Sequence, residues 1–147
     1  MIIPVKLYAD EAFAVPTYQT DGSAGVDLYS TQEQEFKFGQ RALLGTGLYI
    51  ALPAGYEAQI RTRSGLAIKR GLVVLNSPGT IDSDYRGEIK VPIINMSQSP
   101  EKIEVGERIA QMIIAAHSRA EFEVVPTKEA LGQTARGEGG FGSTGTR

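Results

Sequence analysis

Residues 56–62 read YEAQIRT, and apolar or weakly polar side chains stand at every second position of this stretch. Glu57, Gln59 and Arg61 occupy the positions between them. Because successive side chains of a β-strand point to opposite faces, this period of two predicts a strand with one buried and one exposed face. Residues 88–95, EIKVPIIN, repeat the alternation and predict a second strand of the same kind.

Further short β-type runs lie on both sides of these two, separated by Gly, Pro, Asn, Asp and Ser. They are IIPVKLY (2–8), GVDLYS (25–30), ALLGTGLYIAL (42–52), GLVVLN (71–76), KIEV (102–105), RIAQMIIAA (108–116) and EFEVV (121–125). Only SGLAIKR (64–70) favours a helix, and a short one. Many brief strands without alternating helices predict an all-β domain, built as a sandwich, jelly roll or barrel.

Length, charge and cysteine content narrow the function classes. The 147 residues, 41% of them hydrophobic, suit one domain, and no apolar run is long enough to span a membrane. The net charge of −2 gives no electrostatic reason to expect a nucleic-acid partner. The chain has no cysteine and opens with MIIPVKLYAD, which lacks the pattern of a secretory signal. We therefore expect an intracellular, cytoplasmic protein.

The apolar rhythm stops after PTKEALGQT, and a glycine-rich tail follows, which predicts a core of residues 1–135 and an arm of residues 136–147. Residues 137–142 fit the G-x-G-x-x-G spacing, but too few residues follow to form the helix that a dinucleotide-binding turn opens. Glycines allow close backbone approach, Phe141 could stack on a base, and Arg136, Ser143 and Thr144 could donate to phosphate oxygens. The tail is therefore either a nucleotide lid or a disordered terminus.

Residues 76–88, NSPGTIDSDYRGE, hold two carboxylates two positions apart. On an extended segment Asp82 and Asp84 would face the same side, so one could act as a base while a cation such as Arg86 holds the other. Spacing alone does not decide which is the base. An EF-hand reading fails, since Ile93 stands where the bidentate glutamate belongs. The competing interpretation is a plain surface turn.

Three other clusters carry polar groups that suit a phosphate or metal site. In RTRSGLA (61–67), Arg63 and Ser64 could converge on an anion with free backbone amides. In AGVDL (24–28), Asp27 points away from the buried face and could hold a water of a hydrated metal, or serve as a capping group. In GERIAQM (106–112), a core-facing Gln111 would need partners, either structural or from a ligand.

The order and spelling of AGVDL, RSGLA, GTIDSDYRGE, GERIAQM and RGEGGFGSTG, over residues 24–145, closely resemble the five motifs of the trimeric dUTPases. The resemblance implies a distorted jelly roll of the β-clip type and a homotrimer with active sites shared between subunits, with neither nucleic acid nor membrane as partner. It also implies Mg²⁺-dependent hydrolysis of dUTP to dUMP and pyrophosphate, which limits uracil in DNA and supplies dUMP for dTMP synthesis.

The resemblance further implies a role for each candidate residue. Asp82 would be the general base for the water that attacks the α-phosphorus, Asp84 an orienting or structural partner, and Asp27 a holder of Mg²⁺ through water. The phosphates would be bound by Arg63, Ser64, Gly65 and Gln111, and from the tail by Arg136, Ser143 and Thr144. Uracil would be read by Asn76 and by a hairpin around Thr80, Ile81 and Lys90, and covered by Phe141 beside Gly142. Tyr85 would pack on the deoxyribose and exclude a 2′-hydroxyl.

Two other functions remain as alternatives at this point. A dCTP deaminase of the same superfamily would also bind a pyrimidine deoxynucleotide, and a non-catalytic regulatory β module would use the same surface for partners. Deamination requires an acid/base group beside C4 of the base, which the placement of Asp82 does not favour.

Overall fold

The structure is a computed structural model and describes residues 2–140. In this range it contains eleven β-strands and one α-helix, together with two short 3₁₀ turns. The strands are β1 Lys6–Ala9, β2 Val26–Tyr29, β3 Gln34–Phe36, β4 Arg41–Gly45, β5 Leu48–Ala51, β6 Tyr56–Arg61, β7 Leu72–Val74, β8 Gly79–Ile81, β9 Lys90–Asn95, β10 Glu101–Ile103 and β11 Arg108–Ala116. The helix, α1, runs from Ser64 to Arg70. The all-β prediction is confirmed.

The strands form four antiparallel sheets. The largest has the order β2-β11-β6-β8, the second β4-β9-β7, and two pairs, β1-β5 and β3-β10, complete the arrangement. Most neighbours in these sheets are distant in sequence, so long-range pairing brings separated polar motifs onto the same sheet.

The hydrophobic core follows the predicted alternation. In β6 the side chains of Ala58 and Ile60 are buried, and in β9 those of Val91 and Ile93 are buried. Phe36 is also almost fully inaccessible to solvent. The period-two pattern therefore identifies the core faces of both strands correctly.

The predicted single strand over residues 42–52 is wrong, because the segment divides into β4 and β5, which belong to different sheets. Gly47 has a φ of +62°, a left-handed conformation that ends the first strand. Thr46 is buried beside it and donates its Oγ1 proton to the Ile89 carbonyl at 2.6 Å. The turn is thereby tied to the residue directly before β9, the strand that pairs with β4.

The predicted strand EFEVV is also wrong. Residues 121–125 lie in irregular structure, with Phe122 and Val124 exposed by 90% and 94%. The alternation is present, but a strand forms only where a neighbouring edge accepts its backbone hydrogen bonds. No strand of the described residues pairs with this segment.

Helix α1 occupies the residues that the sequence predicts. Leu66 buries it against the core, and Gly71 ends it with a left-handed φ of 63° and an N–H bond to the Ala67 carbonyl. Within residues 2–140, no helix has both the length and the apolar character needed to cross a membrane.

Candidate functional site

The four-stranded sheet brings three of the sequence clusters together. Asp27 on β2 lies opposite Gln111 on β11, and Gln111 lies opposite Arg61 on β6. Directly paired residues of an antiparallel sheet share a face, so these three side chains form one polar row. Residues far apart in the sequence thus meet on one surface.

The core-facing orientation expected for Gln111 is wrong. Ala110 and Met112 on either side are buried, so Gln111 points to the opposite face, where it is half-buried. A register shift between Arg108 and Ala110 interrupts the pairing of β11 with β2, which explains why Ile109 and Ala110 are both buried. The alternation of buried and outward side chains from Met112 back to Ala110 places Gln111 on the face opposite the core.

Asp27 is held by two arginines. Its Oδ1 lies 2.8 Å from Arg63 Nε, its Oδ2 lies 3.5 Å from Arg108 Nε, and its side chain is only 11% exposed. Arg63 also donates from Nη1 to the Arg108 carbonyl at 3.3 Å. The predicted orientation of Asp27 away from the core is confirmed. Arg108 is a member of the site that the motif reasoning missed.

Ser64 and Gly65, in the first turn of α1 beside Arg63, are exposed. No atom lies within 4 Å of the position where Gly65 would carry a Cβ, so a ligand could approach its backbone closely. The arginine, the hydroxyl and the glycine are therefore adjacent on an open surface, as the sequence predicts.

The other end of α1 is fixed by Arg70. Its Nε lies 2.6 Å from Glu101 Oε2, and its guanidinium also donates to Glu107 and to the Lys102 carbonyl. Burial lowers the pKa of Arg70, but the hydrogen bond to Glu101 and the charge of Glu107 outweigh it, so the net shift is upward. Because Glu107 precedes Arg108, this network connects the helix to the start of β11.

Asp82 and Asp84 lie in the segment of residues 82–89, which we call the β8–β9 connection. The expectation that both face one side of an extended segment is wrong, because residues 83 and 84 form a turn closed by the Tyr85 N–H and the Asp82 carbonyl at 3.2 Å. Arg86 donates to the Ser83 and Tyr85 carbonyls at 2.7 Å each. Within residues 2–140, neither aspartate carboxylate forms an ion pair.

The β8–β9 connection does not join two paired strands, as the expected hairpin would. β8 pairs with β6 and β9 pairs with β4 and β7, so the connection passes from one sheet to the other. Glu88 fixes it, because its Oε1 accepts the Gly47 N–H at 2.9 Å and its Oε2 lies 3.4 Å from Lys90 Nζ. The β8–β9 connection therefore begins at the edge of the four-stranded sheet and ends at a strand of the three-stranded sheet.

Three more predicted site residues surround this connection. The Tyr85 hydroxyl donates to the Glu88 carbonyl at 3.0 Å, while its side chain is 44% exposed. Asn76 is exposed, with its Nδ2 only 3.1 Å from the position of a Cβ on Gly79. Thr80 is exposed at the end of the four-stranded sheet. Polar groups and an aromatic ring therefore face solvent around Asp82.

The tail is described only in part. Arg136 is exposed and donates from Nε to the Gly139 carbonyl at 2.7 Å. Phe141, Gly142, Ser143 and Thr144 lie outside the described residues.

The donor set around Asp27 fits a metal held through water. Within residues 2–140 no group of three or more acidic or histidine side chains could hold a metal ion directly. Among the described residues, Arg63 is the one close hydrogen-bond donor to Asp27, and the second carboxylate oxygen lies farther from Arg108. Since a carboxylate has about four acceptor positions, capacity remains for a metal-bound water.

Comparison with known proteins gives consistent matches. The sequence model of the dUTPase family matches residues 11–145. The deoxyuridine 5′-triphosphate nucleotidohydrolase of Nautilia profundicola is 53% identical over 145 residues, covering 99% of each chain. The dUTPase of Staphylococcus bacteriophage 80alpha, solved as a mutant with dUpNHpp, has a TM-score of 0.87 at 25% identity, covering 97% of this chain and 98% of that chain.

A more distant structure shows the fold alone. A mutant dUTPase from phage phi11 of S. aureus, described for its coordination of a structural Mg(II) ion, has a TM-score of 0.78 at 21% identity. It covers 86% of this chain and 99% of that chain. Together with the strand pattern, these likenesses confirm the jelly-roll prediction.

Proposed function

The chain belongs to the dUTPase family and hydrolyses dUTP to dUMP and pyrophosphate, and from this we propose that Asp82 activates the attacking water. The observation that carries the assignment is the contrast between Asp27 and the carboxylates of the β8–β9 connection. Asp27 is nearly buried in ion pairs with two arginines, whereas Asp82 is exposed directly after β8 and has no ion pair within residues 2–140. An unpaired, accessible carboxylate can accept a proton from water. Asp84 is also exposed and unpaired within residues 2–140, so the choice of Asp82 over Asp84 follows the family resemblance.

Asp27 and Gln111 of the polar row, together with Arg63, Ser64 and Gly65 at the start of α1, form the proposed phosphate site. Phosphoryl transfer needs a positioned nucleophile and neutralisation of the charge that develops on the phosphate oxygens. Arg63 and Gln111 supply donors for those oxygens, and the open backbone at Gly65 admits close approach. Arg63 would exchange its bond to Asp27 for one to phosphate when the nucleotide binds.

Mg²⁺, when bound, neutralises phosphate charge and supports the leaving pyrophosphate. Asp27 is the residue that would hold it through water, since the described residues contain no cluster of direct ligands. The phosphates of dUTP, rather than protein side chains, would bind the ion directly. The Asp27 carboxylate also orients Arg63. Asp27 would therefore interact with both positive groups of the site, the Arg63 guanidinium and the hydrated Mg²⁺.

Base and sugar recognition belong to the surface around the β8–β9 connection. Asn76 and the backbone at Thr80, Ile81 and Lys90 would read the uracil edge, and cytosine would fail because its amino group reverses one donor and acceptor. UTP differs by one hydroxyl, and a loosely fitting pocket rejects such a group by only ~1–3 kcal/mol. The Tyr85 ring would therefore exclude the 2′-hydroxyl sterically.

We propose a homotrimer in which each active site uses three subunits, and an arm of residues 136–147 that closes over the nucleotide. Phe141 would stack on uracil beside Gly142, while Arg136, Ser143 and Thr144 would bind the outer phosphates. Closure would exclude bulk water during the reaction. The expected location is intracellular, where nucleoside triphosphates occur.

The test is pyrophosphate release with Mg²⁺ from dUTP, dCTP, dTTP and UTP, with ammonia measured in parallel. We expect rapid release from dUTP and at most slow release from the other three. Ammonia formed from dCTP would instead indicate the deaminase alternative, and turnover of all four nucleotides would contradict the recognition assigned to Asn76 and Tyr85.

A further inference from the structure

Gly87 lies two residues after Tyr85, and the Tyr85 ring covers the position where a side chain at Gly87 would begin. A Cβ built on Gly87 would overlap Tyr85 Oη, and it would lie 2.5 Å from Cζ and 3.0 Å from Cε2 of the same ring. Nonbonded carbon atoms are normally about 3.5–4.0 Å apart. The ring and a side chain at position 87 therefore exclude each other.

The backbone at Gly87 does not itself require glycine. Gly87 is not among the glycines with positive φ, in contrast to Gly47 and Gly71, whose φ values are 62° and 63°. The three heavy atoms nearest to the added Cβ all belong to Tyr85. The closest obstacles to a side chain at position 87 are therefore atoms of the ring.

The neighbouring backbone is fixed, so the ring is the part that would have to move. Ile89 is fully buried, and its N–H donates to the Leu48 carbonyl at 2.8 Å. The Glu88 side chain accepts the Gly47 N–H at 2.9 Å. In contrast, Tyr85 is 44% exposed, and within residues 2–140 its hydroxyl is held by one hydrogen bond, to the Glu88 carbonyl. A methyl group at position 87 would rotate the ring outward and break that bond.

We infer that Gly87 is a specificity-determining residue, because its missing side chain lets the Tyr85 ring lie where it excludes a ribonucleotide. The inference rests on the proposed placement of Tyr85 beside the deoxyribose. Gly87 acts through Tyr85 and is a positioning residue, so it touches neither the reacting phosphate nor the water. Its loss should change the choice between sugars more than it changes turnover of dUTP.

The test compares kcat/KM for dUTP with kcat/KM for UTP. Gly87→Ala should lower the dUTP/UTP ratio by about tenfold or more, since sugar discrimination then falls toward what a loose pocket provides. Gly22→Ala is the matched control, because Gly22 also lacks a positive φ and no atom lies within 4 Å of its Cβ position. Its ratio should equal that of the unmodified protein.

A double substitution separates the ring from the backbone. Tyr85→Ala should lower the ratio by itself, and adding Gly87→Ala to it should change the ratio less than about twofold because no ring remains to be displaced. An unchanged ratio in Gly87→Ala alone, or a further loss in the double variant, would overturn the inference. If Tyr85→Ala leaves the ratio unchanged, the proposed sugar gate fails, and the inference fails with it.

Folding is monitored by the thermal midpoint of each variant. If both Gly87→Ala and the double variant fail to fold, the backbone requires the glycine, and the inference is overturned. If Gly87→Ala is destabilised and the double variant is not, the clash with the ring is demonstrated directly.

Discussion

Replacing Arg70 with alanine should destabilise the protein by about 2 kcal/mol. The substitution removes two ion pairs and one hydrogen bond to the Lys102 carbonyl. The side chains of Arg70, Glu101 and Glu107 are 28%, 19% and 27% exposed. The network is therefore worth more than exposed pairs, at about 0–1 kcal/mol each, and less than a fully buried pair, whose disruption costs about 3–5 kcal/mol.

The assay is urea unfolding followed by far-ultraviolet circular dichroism at one fixed protomer concentration, because association would also contribute to apparent stability. A loss of about 2 kcal/mol lowers the folded-to-unfolded ratio about thirtyfold. Lys69→Ala is the matched control, since Lys69 is exposed on the same helix and forms no ion pair within residues 2–140. It should lie within about 0.5 kcal/mol of the unmodified protein.

Equal unfolding free energies for Arg70→Ala and Lys69→Ala would refute this reasoning. They would mean that the network is solvated and that Leu66 alone holds α1 against the core. A loss confined to Arg70→Ala would instead show that the ion-pair network fixes the C-terminal end of the helix that carries Ser64.

Three further predictions concern the core, the metal and the tail. Asn95→Asp should lower the free energy of unfolding by about 3 kcal/mol at neutral pH, because a buried carboxylate cannot donate to the Phe36 and Ser99 carbonyls as the amide does. A thermal midpoint equal to that of the unmodified protein would contradict this prediction. Chelation of divalent metal should abolish turnover and leave the thermal midpoint unchanged, since the described residues form no direct metal cluster; a lower midpoint would instead indicate a structural metal. A chain ending at Ala135 should keep its circular dichroism spectrum and lose most turnover. Full activity of this shortened chain would contradict the proposal that residues 136–147 close over the nucleotide.

Strands that bury one face could be predicted from the sequence, because the alternation of apolar and polar side chains is contained within each strand. β11 and α1 match their predicted ranges, and β6 and β9 lie within theirs. Two features depend on strand partners elsewhere in the chain, which local alternation does not reveal. They are the division of residues 42–52 into two strands at Gly47 and the irregular structure of residues 121–125. The three-residue strands β3 and β8 were not predicted, whereas β7 and β10, which are equally short, overlap the predicted runs GLVVLN and KIEV.

The same limit applies to the site. The motifs predicted which residues carry polar chemistry, and the structure places Asp27 and Gln111 side by side on one sheet, with Arg63 paired to Asp27 from the start of α1. The ion pair of Arg108 with Asp27 depends on strand pairing across the sheet, so spacing along the sequence could not predict it. The fit of Gly87 beneath Tyr85 likewise appears only in three dimensions.

Comparison of Asp82→Asn with Asp84→Asn tests whether Asp82 is the residue that activates the water. Both variants are measured for pyrophosphate release from dUTP and for binding of dUpNHpp. We expect Asp82→Asn to lower kcat by about 10²–10⁴-fold with nucleotide affinity retained, and Asp84→Asn to lower kcat far less. Near-normal turnover of Asp82→Asn, or an equal loss in both variants, would contradict the assignment of Asp82 as the base.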